Sequence, residues 1–169
     1  MNTKNNDLLT GFVEYDDHTY DLVWLPEEDY SKLSPVVQAY GFCYDAQHRL
    51  LVIQSTDLSS WVVPGGTIEA GETPEQTLKR EIIEEANAEI DDIHYLGAQK
   101  ATREDGDVIY QLRYAAKIKN LLPRAADPDN GRIRKRELID PSGFEQVSHW
   151  GPIGAELVHL SMEKLQLLR

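Results

Sequence analysis

The chain is short of cysteine, of long apolar runs and of positive charge. Cys43 is the single cysteine among 169 residues, which excludes an intramolecular disulfide and fits a reducing compartment. It lies inside an apolar run, where a small core residue is the expected role. No hydrophobic stretch approaches the ~20 residues that a membrane span needs. The opening Met1-Asn2-Thr3-Lys4-Asn5-Asn6 lacks a signal peptide's apolar core, so a cytoplasmic location and no membrane partner are expected. Lys and Arg number 17 against 29 Asp and Glu, a net charge of −12. That deficit argues against duplex nucleic acid as a partner, because phosphate contacts need a basic footprint. It leaves a small nucleotide open, since metal ions screen an acidic site and a few placed cations hold phosphates. Candidate cations are Lys79, Arg103, Arg113 and the cluster Arg132, Arg134, Lys135, Arg136. His18, His48, His94, His149 and His159 have no metal-ligand spacing, and no Ser/His/Asp or Cys/His constellation stands out.

What the chain does have is concentrated between Gly66 and Ala88. A Gly-rich loop, Gly65-Gly66 onward, runs into a segment with a written helix start. Thr73 suits the N-cap, Pro74 the first helical position, and Gln76 completes a capping box. Leu78, Ile82 and Ala86 recur at four-residue spacing, with Ile83 beside them, and predict a buried stripe. Glu81, Glu84 and Glu85 are related by i+3 and i+4, so their carboxylates converge on another face. Like charges on one turn repel. A solvated acidic face is one reading of them. A hard divalent ion, Mg²⁺ or Mn²⁺, would relieve the repulsion with carboxylate, carbonyl and water oxygens. Glycine at 65 and 66 lets backbone approach a ligand closely, which favours the metal reading.

This segment resembles the signature of the Nudix hydrolases, G-x5-E-x7-R-E-U-x-E-E-x-G-U, where U is a bulky aliphatic. Gly66, Glu72, Arg80, Glu81, Ile82, Glu84 and Glu85 fall on their places. Asn87 stands where the family has Gly, and Ala88 where it has a larger aliphatic. Asn is the usual substitute for Gly in a left-handed helix cap, so Asn87 is expected to keep the turn. Restoring Gly there is expected to be stability-neutral within about 1 kcal/mol.

Around the box the chain reads as strands, helix, strands, helix. Residues 1–8 form a polar terminus, and residues 12–15 and 19–24 a hairpin. Residues 26–35 form a connector with helical potential near Glu27 to Lys32. Strands follow at residues 36–44, 49–54 and 60–64, where Trp61 reads as a core aromatic rather than a base-stacking platform. Residues 93–101 and 108–117 form a hairpin about Asp105-Gly106. A loop at residues 121–131, an edge strand at residues 133–139 and a turn at residues 141–144 precede a helix at residues 154–168. That helix places Leu157, Leu160, Leu165 and Leu168 on one side. The class is α/β, and a helix on each face of a mixed sheet makes an α/β/α sandwich; the resemblance implies the same. The expected organisation is a β-rich leader, residues 1–35, packed on a Nudix domain, residues 36–169. The leader is expected to cover a sheet edge or to mediate a homodimer.

The resemblance implies hydrolysis of a nucleoside diphosphate linked to another group, X. Glu81, Glu84 and Glu85, with the Gly65 carbonyl, would hold Mg²⁺ or Mn²⁺. Arg80 and Glu72 match a pair that locks loop to helix, and Gly66 belongs to the loop. The general base would be a box glutamate or a later carboxylate, Glu137 or Asp127. Family markers for ADP-ribose, dinucleoside polyphosphates, coenzyme A or NADH are absent, which leaves a nucleoside triphosphate, oxidised or not, or an untyped diphosphate. The alternative is a catalytically inactive Nudix-fold module that senses a nucleotide. An isoprenoid diphosphate isomerase would need a modified box and a catalytic cysteine, which Cys43 in a strand does not offer.

Overall fold

The computed structural model describes residues 8–15, 17–56 and 59–168; the polar terminus expected at residues 1–8 lies almost entirely outside them. Among the described residues nine strands form one sheet: β1 (Thr10–Tyr15), β2 (His18–Pro26), β3 (Val36–Tyr44), β4 (Leu50–Gln54), β5 (Trp61–Val62), β6 (Gly65–Thr67), β7 (Ala88–Arg103), β8 (Val108–Leu121) and β9 (Arg136–Ile139). The helices are α1 (Pro74–Ala86), α2 (Phe144–Ser148) and α3 (Gly151–Lys164). Strand order is β1-β2-β7-β8-β3-β4-β5, with β6 on β3 and β9 on β4. β3 and β8 run parallel and the other pairs antiparallel, so the sheet is mixed.

Side-chain alternation along the central strands builds a core on each face. Cys43, Leu51, Ile53, Leu112 and Tyr114 pack with Leu78, Ile82 and Ala86 of α1. Their neighbours Phe42, Tyr44, Leu50, Val52 and Ala115 pack with Phe144, Ile153, Leu157 and Leu165 from the α2–α3 side. The result is the α/β/α sandwich with a mixed sheet that the sequence predicts.

The box helix forms where its caps are written. Thr73 Oγ1 accepts from Gln76 N, and Thr73 N donates to Gln76 Oε1. The helix ends at Asn87, which adopts φ 49° and ψ 54°, the left-handed cap expected of it. Leu78, Ile82 and Ala86 are buried, but Ile83 is 43% exposed and Thr77 takes the place beside the stripe.

Other boundaries differ for local reasons. β7 and β8 extend beyond their expected ranges because they pair with each other from Ala88↔Leu121 to Thr102↔Val108. The expected basic strand shrinks to Arg136–Ile139, where it can pair with β4. α3 starts at Gly151 rather than 154 and stops at Lys164, and its buried row is Ile153, Leu157, Ser161 and then Leu165. Leu168 is exposed. β2 pairs along β7, so the β1–β2 hairpin extends the sheet at that edge. Among the described residues no helix is long and apolar enough to cross a membrane.

Candidate functional site

Two glycines bring the loop onto α1. Gly65 has φ +152°, and a side-chain carbon there would stand 2.3 Å from the Ala39 carbonyl oxygen. At Gly66 the same carbon would stand 2.5 Å from the Glu81 carboxylate. At Gly65 any other residue would meet β3 backbone and push β6 off it, whereas a side chain at Gly66 would displace the Glu81 carboxylate.

Arg80 is the hub of the site. Its Nε and Nη2 donate to the two oxygens of Glu72 at 2.9 and 3.0 Å, a bidentate pair from helix to loop. Nη2 also donates to the Thr67 carbonyl, while Nη1 donates to Glu81 at 2.9 Å and Glu84 at 3.0 Å. Thr77 Oγ1 donates to Glu72 as well. The Arg80 and Thr77 bonds hold the Glu72 carboxyl down near a pKa of about 2. Glu85, 8% exposed, accepts from Gly65 N at 3.1 Å and pairs with Arg134 at 2.6 Å. Burial pushes its carboxyl up to about 7, and Glu81 and Asp127 push the same way. Burial also raises Glu81 and Glu84, again with Asp127 adding to the rise.

The two later carboxylates part company. Asp127 is buried and its charge is felt at all three box glutamates. Its carboxylate accepts from Asp129 N and Asn130 Nδ2. Glu137 is exposed on β9 opposite Val52. The candidate cations divide similarly. Arg134 and Arg113 line the cleft described below, whereas Lys79, Arg132 and Lys135 are exposed. Arg103 pairs with Asp105 and Asp107 in its own hairpin. Arg136 donates to the Ala86 and Asn87 carbonyls at the end of α1.

Among the described residues no three acidic, His or Cys side chains stand as a ready ligand set for one ion. Arg80 and Arg134 hold the carboxylates instead. The side-chain donors nevertheless suit a hard divalent ion: they are carboxylates, crowded and partly desolvated, with Glu84 disfavouring the charge of Glu81, Glu81 that of Glu85, and Asp127 that of all three.

The site opens into a cleft of about 860 Å³ that runs from Gly65 and Glu85 to Arg113 and Trp150. Sequence reasoning marked Arg113 and Arg134 only as two cations among several. It missed Tyr40, Gln99, Gln111 and Trp150, whose chemistry becomes visible only when β3, β7, β8 and the start of α3 meet. Trp61 packs at the rim of the α3-side core, as its sequence reading holds.

A model of the NUDIX domain matches residues 34–157. A MutT-like protein of Streptomyces ambofaciens is 34% identical over 77 residues, which cover 46% of this chain and half the length of that relative. The fold is similar to that of a pyrophosphohydrolase from Bacillus subtilis, with TM-score 0.65, 22% identity, and 92% of this chain and 96% of that one covered. It is similar as well to a NUDIX hydrolase of Nitrosomonas europaea, with TM-score 0.59, 15% identity and coverage of 80% and 97%. An Ap4A hydrolase of C. elegans aligns with TM-score 0.53 and 19% identity, covering 77% of this chain and 98% of that one.

Proposed function

The chain belongs to the NUDIX family, and from that premise we propose that it is a divalent-metal-dependent hydrolase. It would cleave the pyrophosphate linkage of a nucleoside diphosphate joined to another group, a nucleoside triphosphate among them. One observation carries the reading. A single guanidinium, Arg80, gathers Glu72, Glu81 and Glu84 beside the buried Glu85, which with Gly65 lines a cleft large enough for a nucleotide.

Glu81, Glu84 and Glu85, with the Gly65 carbonyl, would hold Mg²⁺ or Mn²⁺. When bound, the ion neutralises phosphate oxygens and acidifies an attacking water. Arg80 and Glu72 fix the loop against the helix, so that the three carboxylates need not be ordered at each turnover. Arg134, which pairs with Glu85 and lines the cleft, would pass to a substrate phosphate. A box glutamate takes the proton of the attacking water, and Asp127, whose charge is felt at all three box glutamates, is preferred to exposed Glu137 as the second candidate.

Glu84→Gln and Glu85→Gln test this directly. Each should lower Mg²⁺-dependent turnover by at least about a hundredfold, because even outer partners of metal ligands are worth ~10–100-fold. Circular dichroism should show an unchanged fold. Full activity in both variants would sink the assignment.

A further inference from the structure

On the α3-facing side of the sheet, the rows that carry Phe42 and Ala115 into the core change character as they enter the cleft. Two residues on from Phe42 stands Tyr40, then Gln38; two residues on from Ala115 stands Arg113, then Gln111. Gln38 pairs with Gln111 across β3 and β8, and Gln111 with Gln99 across β8 and β7. Three amides therefore lie in one row across three strands.

Arg113 sets their orientation. It is 2% exposed, and its Nη2 donates to Gln99 Oε1 at 3.1 Å and Gln111 Oε1 at 2.8 Å. Gln111 Nε2 donates in turn to Gln38 Oε1 at 2.5 Å. An arginine only donates, so both glutamines must offer it oxygen, and Gln111 must then offer nitrogen to Gln38. Each carbonyl oxygen in the row thus already accepts one bond within it, while the Gln99 and Gln38 amide nitrogens stay available as donors. Arg113 Nε has no partner, and a buried donor in that state is costly unless a ligand meets it. Among the described residues no carboxylate pairs with Arg113; the faces of Tyr40 and Trp150 lie 4.9 and 5.5 Å from its guanidinium carbon. Burial pulls its pKa down to about 10, which leaves it charged at neutral pH.

A phosphate would call for several cations in reach. One charge, flat amides and aromatic faces suit a planar group with an acceptor edge. The outer wall comes from the leader. Phe12 and Tyr15 of β1 line the same cleft and are otherwise 72% and 70% exposed. A side-chain carbon at Gly11 would already touch Ile153 of α3, so β1 lies close over this end. The hairpin lies outside the segment that matches the family model.

We propose that the Gln99–Gln111–Gln38 row and Arg113 form a specificity subsite for a keto-bearing nucleobase, walled by Tyr40, Trp150 and the β1–β2 hairpin. The inference rests on the nucleotide-hydrolase reading for its use, but its test does not. Inosine and adenosine carry a keto and an amino group respectively at purine position 6, and neither has a phosphate or needs a metal. Titrating each while following the Trp150 indole resonance, assigned with Trp150→Phe, should show inosine bound at least about fivefold tighter, the discrimination of one well-made base contact.

Arg113→Met and Gln99→Leu should remove the preference. Phe12→Ala, at an exposed position, should keep the fold and weaken inosine severalfold, and it decides the matter if the buried variants unfold. Equal binding of both nucleosides, binding of neither, or no effect of Phe12→Ala would overturn the subsite. Metal-dependent hydrolysis without base preference would refute the subsite alone. Inosine binding without hydrolysis of any nucleotide would refute the hydrolase reading alone.

Discussion

Glu85 shows how the proposed chemistry trades against stability. Its carboxyl is raised from an ordinary 4.5 to about 7, chiefly by burial. A raised folded pKa means that the folded chain binds more protons between those values. Its contribution to stability is therefore full below about 4.5 and is lost as pH rises through about 7. In chelator, wild-type stability should decline across that window, and Glu85→Gln should flatten the decline; thermal melts at successive pH values check it. Arg80 makes the opposite case. Five acceptor atoms on one planar fork cannot be served by an ammonium, so Arg80→Lys should cost turnover although the charge is kept. Cys43 is fully buried, and burial pushes its thiol well up. A thiol reagent should therefore modify the native protein only as fast as it opens, a rate that mass spectrometry can follow.

At the scale of elements, the ends of α1 decide the site. Thr73→Ala removes one half of the capping box and should cost about 1 kcal/mol in a denaturant melt. The other end revises the expectation for Asn87. Its backbone takes the left-handed cap, but its side chain also works: Oδ1 accepts from Ala125 N at 3.0 Å and Nδ2 donates to the Ile83 carbonyl at 3.1 Å. Asn87 is thus 5% exposed and ties the helix to the segment leading to Asp127. Asn87→Gly keeps the cap and loses both bonds, so a loss of about 1–3 kcal/mol replaces the neutral outcome. The sequence shows the cap because it is local. It hides the tether because residues 87 and 125 meet only after β7 and β8 have paired.

For the whole molecule the same division holds. The box, its caps, the Asp-Gly hairpin and the two-sided strands were legible because each is a short-range pattern of polarity or turn chemistry. The choice of β7 as the edge that β1–β2 joins, the parallel pairing of β3 with β8, and the shift of α3 by a turn were not. They depend on partners far along the chain. The site follows suit: Glu72, Arg80 and the three glutamates come from one segment, whereas Arg113, Gln99, Tyr40 and Trp150 come from four. The central claim is metal-dependent cleavage of a nucleotide pyrophosphate. The most direct test is phosphate and pyrophosphate release from a panel of nucleoside triphosphates, sugar nucleotides and dinucleoside polyphosphates. Each would be tried with Mg²⁺, with Mn²⁺ and with chelator. At least one should be hydrolysed, and only when metal is present. Nucleotide binding without turnover of any member would contradict it and mark the chain as a sensor built on a hydrolase fold.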